Sequence, residues 1–149
     1  MNKFKKAIIS VGATAVMLAG LAVPALAGAQ KTPLYGPADP GFTCAAGGNA
    51  IGNALGFVVL NTNGKPGTNN DLIVQVSIKG GAPNTSYDIY VNQDPGDCPT
   101  APAIGVLTTN GQGNGNAHLV EPRLPGATNF WVSAVGGGQV LRSPAVTLD

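Results

Sequence analysis

Charge is the scarcest property of this chain. Only 10% of its 149 residues are Asp, Glu, Lys or Arg, and aromatic residues make up 5%. There is one histidine, one tryptophan and a single pair of cysteines. No basic stripe exists to neutralise phosphates, which removes nucleic acid from the expected partners. A lone imidazole, His118, rules out a multi-histidine metal centre and leaves one candidate for histidine acid–base chemistry. No apolar run beyond Leu21 is long enough to cross a bilayer as a helix. Apolar spacing of three and four residues is also missing beyond that point, so a helical bundle is not expected.

What is present begins with a leader. Lys3, Lys5 and Lys6 precede an uncharged apolar run from Ala7 to Leu21, followed by Pro24 and the small-residue patterns Ala25-Leu26-Ala27 and Ala27-Gly28-Ala29. Basic start, short apolar core and small-residue cleavage site make a secretory signal peptide over residues 1–29. The mature chain is expected to start at Gly28 or Gln30. Of eight basic residues, the three in the leader leave five against seven acidic ones, so the mature balance is near −2. The remaining 120 or so residues suffice for one domain with a modest core. Cys44 and Cys98, an even pair in an exported chain, read as a disulfide that stabilises the fold by about 4 kcal/mol in the chain-entropy model. Two free thiols on a metal are the other reading, but His118 has no ligand spacing around it.

Gly, Pro, Asn and Thr punctuate short runs in which apolar and polar residues alternate, the period of strands. A Pro-interrupted, extended lead-in covers residues 30–43, and the domain proper covers 44–149. Strands are expected at Leu55–Leu60, Leu72–Lys79, Ser86–Asn92, Ala103–Thr109, Asn116–Val120, Asn129–Val135, Gln139–Arg142 and Ala145–Leu148. In the second of these Leu72, Val74, Val76 and Ile78 share a face; in the third, Tyr87, Ile89 and Val91 do. The segment from Gly80 to Asn84 reads as a tight reversal, Asn110 to Gly115 as a long hairpin tip, and Gly136-Gly137-Gly138 as the last hairpin turn. Evenly spaced short strands define an all-β sandwich or barrel.

The run beginning at Gly80, "GGAPNTSYDIYV", resembles the strand–turn–strand corner of secreted bacterial immunoglobulin-like and fibronectin-like domains. The following "LTTNGQGNGNAHL", Leu107 to Leu119, is similar to the Thr-Asx-Gly-rich hairpin of the same group. The likeness spans Leu72 to Leu148. It implies a single immunoglobulin-like β-sandwich of seven to eight strands, and a binding, adhesive or structural role.

Candidate chemistry is sparse. A Ser–His–Asp hydrolase would require His118 with Ser77, Ser86, Ser133 or Ser143, and no Gly-x-Ser-x-Gly elbow is present. Calcium is the one cofactor the oxygen ligands allow: Asn92, Asp94 and Asp97 cluster in one stretch, and Asn69, Asn70 and Asp71 in another. Both stretches are equally good turn formers. Alternation sends Tyr90 and Trp131 outward when Tyr87, Val91, Phe130 and Val132 face in; on neighbouring strands the pair would form a ligand platform. The competing reading makes Trp131 a packing residue. The lead-in from Gln30 to Phe42, anchored by Leu34, Tyr35 and Phe42, is expected to pack on its own domain or to add to a neighbour's sheet edge. Asn84-Thr85-Ser86 fits both a turn and an N-glycosylation acceptor.

The expected function is a secreted, non-catalytic structural or binding module, free in the extracellular space or noncovalently held at the cell surface. Its partner would be an extracellular polymer or protein, or further copies of itself. A carbohydrate- or wall-binding domain using exposed aromatics is the second reading, and a small extracellular hydrolase the third.

Overall fold

The computed structural model describes residues 28–37, 52–63, 71–96 and 102–148. The leader up to Ala27, Cys44, Asn69, Asn70, Asp97 and Cys98 lie outside the described residues. Every regular element among the described residues is a strand: β1 (Gln30–Gly36), β2 (Asn53–Thr62), β3 (Leu72–Ile78), β4 (Ser86–Asp94), β5 (Gly105–Thr108), β6 (Gly115–Glu121), β7 (Asn129–Gly136), β8 (Gln139–Arg142) and β9 (Val146–Thr147).

Period-2 alternation builds the core. Leu72, Val74, Val76 and Ile78 of β3 are buried, as are Tyr87, Ile89 and Val91 of β4 and Phe130, Val132 and Ala134 of β7. They pack in one cluster with Leu34, Val58, Leu60, Leu107, Leu141 and Leu148, so strands far apart in sequence share one apolar interior. Each such side chain withdrawn from water contributes about 1.5–3 kcal/mol, set against the entropy of ordering the chain.

The strands form one antiparallel sheet in the order β5-β4-β7-β8-β1-β2-β3-β6, with β9 pairing β7. One pair, Tyr35 with Arg142, joins β8 to β1, whereas β1 and β2 run side by side from Gln30↔Leu60 to Gly36↔Asn53. At the far margins β5 and β6 approach each other, so the sheet is nearly barrel-like. Glycine permits that approach: a Cβ on Gly115 would stand 2.7 Å from the Thr108 carbonyl oxygen, and one on Gly105 would stand 2.6 Å from Leu119 Cδ2.

Within the lead-in, residues 30–36 are β1, an interior strand of this chain's own sheet, which is the own-domain packing of the two arrangements expected; residues 38–43 lie outside the described residues. Pro33 is accommodated where the β1–β2 register shifts, between Pro33 and Tyr35. Gly80–Asn84 is the expected reversal between β3 and β4, though the two strands do not pair, and Asn110–Gly115 is not the expected hairpin tip. β3 pairs β2 and β6 while β4 pairs β5 and β7, so both segments carry the chain across from one half of the sheet to the other. Only Gly137-Gly138 forms the expected hairpin turn, between β7 and β8.

The two crossovers are tied together by backbone. Gly81 N donates to Gly113 O and Asn84 N to Asn110 O, each at 2.9 Å. Asn84 adopts φ 49°, the left-handed region that Asn tolerates better than most residues. At the other end, buried Gln93 accepts from Leu124 N and donates to Pro122 O, both at 2.9 Å, fixing the chain between β6 and β7.

Candidate functional site

The outward face of β2, β3 and β6 carries a depression. It has a volume of about 420 Å³ and is lined by Phe57, Gln75, Ser77, Asn116 and His118, with Val76 and Ala117 beneath. Strand register explains the gathering. Phe57, Ser77 and Asn116 stand in one cross-strand row, and Val59, Gln75 and His118 in the next. Residues two apart on a strand point the same way, so six side chains from three strands converge on one face.

Each lining group has a distinct character. Gln75, Asn116 and His118 are exposed, Phe57 is half-buried, and Ser77 is 5% exposed. The Lys31 ammonium of β1 lies 4.1 Å from the centroid of the Phe57 ring, a cation–π contact that covers part of that ring. None of the side chains of Gln75, Ser77, Asn116 and His118 hydrogen-bonds another described residue. Two amides, a hydroxyl and an imidazole, with mixed donors and acceptors, thus surround an aromatic surface. No carboxylate among the described residues lines the depression.

The face carries polar residues whose lateral neighbours are also outward-facing. Phe57 and Gln75 were not singled out in the sequence, because neither belongs to a motif. Their meeting depends on β2–β3 pairing between residues 16 to 20 positions apart (Phe57↔Ser77, Val59↔Gln75). Alternation places Gln75 and Ser77 on the outward face of β3, but the apolar run around Phe57 gives no such sign, and the meeting of the three strands is not local information.

Tyr90 and Trp131 do lie on neighbouring strands. Asn92 stands opposite Trp131, and Tyr90 opposite Ser133. Phe130, Val132 and Ala134 enter the core, as alternation requires, and Trp131 points the other way. Even so, Trp131 is only 1% exposed and Tyr90 is half-buried, so the pair is not an open shelf. Buried polar groups accompany it: Asn92 Nδ2 donates to Ser133 Oγ at 3.4 Å, and Arg142 Nε donates to the same oxygen at 3.4 Å. Trp131 is therefore placed as a packing residue.

Of the calcium candidates, Asn92 and Asp94 belong to β4 and Asn92 is 2% exposed, while Asp97, Asn69 and Asn70 lie outside the described residues. Asp71 is exposed at the start of β3, with its carbonyl accepting from Asn63 N at 3.1 Å. No group of three His, Cys, Asp or Glu positioned to hold a metal ion occurs among the described residues.

Of the serines weighed as partners for His118, three are engaged elsewhere. Ser86 shares a hydrogen bond with Thr108, Ser133 accepts from Asn92 and Arg142, and Ser143 Oγ accepts from Val132 N at 3.0 Å. Ser77 alone lines the depression with His118, one row away on the adjacent strand and without a hydrogen bond between them. Asn84 is exposed in its turn.

Comparison of the chain with protein-family models, with curated proteins and with solved structures gives no match. The reading of the site therefore rests on its own geometry.

Proposed function

We propose that the protein is an exported, non-catalytic binding module on an immunoglobulin-like β-sandwich, working in the extracellular space or held noncovalently at the cell surface. The leader pattern of Lys3 to Ala29 supports export. The sandwich reading is supported by connectivity: β4, β5, β7 and β8 make one half-sheet, β1, β2, β3 and β6 the other, and their inward faces share one core.

The observation that carries the binding reading is the gathering of four polar side chains, Gln75, Ser77, Asn116 and His118, around Phe57 in one depression. Polar groups convergent on a concave, partly aromatic surface are the usual constitution of a ligand site.

The test is retention on producing cells after a salt wash. Wild-type chain is expected to remain with the cell surface or a surface extract, and Asn116→Thr with Gln75→Ala to release it while leaving the fold intact. Equal behaviour of wild type and the double variant, with no captured component, would sink the binding reading. Native mass spectrometry of the same preparation reads the leader cleavage site, the loss of two hydrogens expected for a Cys44–Cys98 bond, and the subunit count. A ladder of oligomers would instead favour self-assembly.

The hydrolase alternative keeps one supporting observation, the shared depression of Ser77 and His118. It requires that His118→Ala abolish an ester- or amide-cleaving activity of the purified chain. An activity unchanged by that substitution removes it.

A further inference from the structure

We infer that the ligand of the Phe57 face is an uncharged glycan, bound across β2, β3 and β6 by side chains alone. This inference rests on the binding-module reading and adds the chemical class of the ligand.

Backbone availability limits how a partner can bind across this face. β2 is paired on both sides, by β1 and β3, and β3 by β2 and β6, so an extended peptide could add main-chain hydrogen bonds only along the outer margin of β6. A ligand lying across β2 and β3 is recognised through the side chains of Phe57, Gln75, Ser77, Asn116 and His118.

The chemistry of those five groups then narrows the choice. Gln75 and Asn116 each offer both a carbonyl acceptor and an NH2 donor, and Ser77 both donates and accepts. Sugar hydroxyls are also donor and acceptor at once, so neighbouring hydroxyls on a ring match a surface of mixed amides and hydroxyls. A phosphate or carboxylate ligand would call for convergent cations or a bidentate Arg. None of the described residues lining the depression is a cation, and the nearby Lys31 ammonium is held over the Phe57 ring at 4.1 Å. A cationic ligand would call for a carboxylate, and none among the described residues lines the site. A purely apolar ligand would cover the amides of Gln75 and Asn116 without offering them partners.

Geometry agrees with the chemistry. The depression, at about 420 Å³, is within the range of small-ligand sites and is shallow enough to let a polymer pass across it. Phe57 stands in the same row as Ser77 and Asn116, so a ring packed against the aromatic carbons has hydroxyl partners on the two adjacent strands. Gln75 and His118, one row along, provide partners for a second residue of the chain.

The experiment is affinity electrophoresis of the full chain in gels containing neutral polysaccharides (amylose, a soluble β-glucan, galactomannan, glycol chitin), beside gels containing polygalacturonate or hyaluronan. The purified chain is expected to be retarded by at least one neutral polymer. Asn116→Thr and Gln75→Ala, both exposed sites, are each expected to weaken that retardation at least tenfold with unchanged far-UV circular dichroism. Amide shifts on β3 and β6 in a 15N spectrum titrated with the same polymer's oligosaccharide would place contact on this face. Retardation by acidic polymers alone, with loss in Lys31→Ala, overturns the uncharged class while leaving a binding module. Absence of retardation in every neutral gel, with cell-surface retention still lost in the double variant, also overturns the glycan and keeps the module. If neither retention nor retardation responds to these substitutions, both readings fall.

Discussion

The hydroxyl of Tyr87 lies 3.0 Å from Gln139 Oε1, to which it donates, and accepts from Ala82 N at 2.8 Å. One buried side chain thereby ties the β3–β4 crossover to the start of β8, 52 residues away in sequence. Tyr87→Phe keeps the ring in the core but strands a backbone donor and an amide oxygen. The expected loss is about 1–3 kcal/mol, read as a lowered denaturation midpoint with an unchanged slope. A change below a few tenths would mean that water replaces both bonds.

Thr109 makes a parallel junction. It is 3% exposed, and its hydroxyl donates to Ala82 O at 2.6 Å and accepts from Thr85 N at 3.0 Å, while its own N–H reaches Thr85 O at 2.9 Å. Thr109→Val preserves shape and β-branching and deletes only the hydroxyl. The two crossovers are expected to loosen together, at a cost of about 1–3 kcal/mol. Hydrogen exchange provides the check: protection at Thr85 and Asn84 should fall well before that of β3 and β7.

Gly115 tests the near closure of the sheet. A Cβ there would meet Leu107 Cδ2 at 2.6 Å and the Thr108 carbonyl oxygen at 2.7 Å, and the second neighbour is backbone that cannot rotate away. Gly115→Val would normally favour a strand, but here it must push β6 from β5. A destabilisation of about 1–3 kcal/mol or more is expected. Gly126→Ala is the control, since nothing lies within 4 Å of its Cβ and only its φ of +80° opposes the change. If Gly115→Val is no worse than Gly126→Ala, the two margins do not need to meet.

Local patterning made much of this fold legible and left its pairing unread. β3, β4 and β7 announce themselves by apolar residues at every second position, and their buried faces are the ones alternation selects. β1 hides because Pro33 interrupts it, Pro37 follows directly after it, and only Leu34 is a large apolar residue facing the core. Gly-rich segments at 80–84 and 110–115 look locally like hairpin turns, yet each crosses between half-sheets. Choosing between those outcomes depends on contacts with strands 30 or more residues distant, for example β3 with β6, which no local rule contains. The candidate site shares this property. His118 was visible as a lone imidazole, but its neighbours Gln75 and Phe57 come from two other strands.

Trp131 separates facing outward from being exposed. Alternation assigns it to the side away from the core cluster, and it is nonetheless 1% exposed, beside buried Asn92, Ser133 and Arg142. As the chain's single tryptophan, it alone supplies the indole fluorescence. The native protein should emit to the blue of its denatured form and resist quenching by acrylamide, and Trp131→Ala should cost about 3–5 kcal/mol. Addition of any glycan that binds the Phe57 face should leave that emission unmoved, because the two faces belong to different half-sheets. Native emission as red and as readily quenched as that of the unfolded chain would mean an open indole. The ligand platform would then pass from Phe57 back to Tyr90 and Trp131.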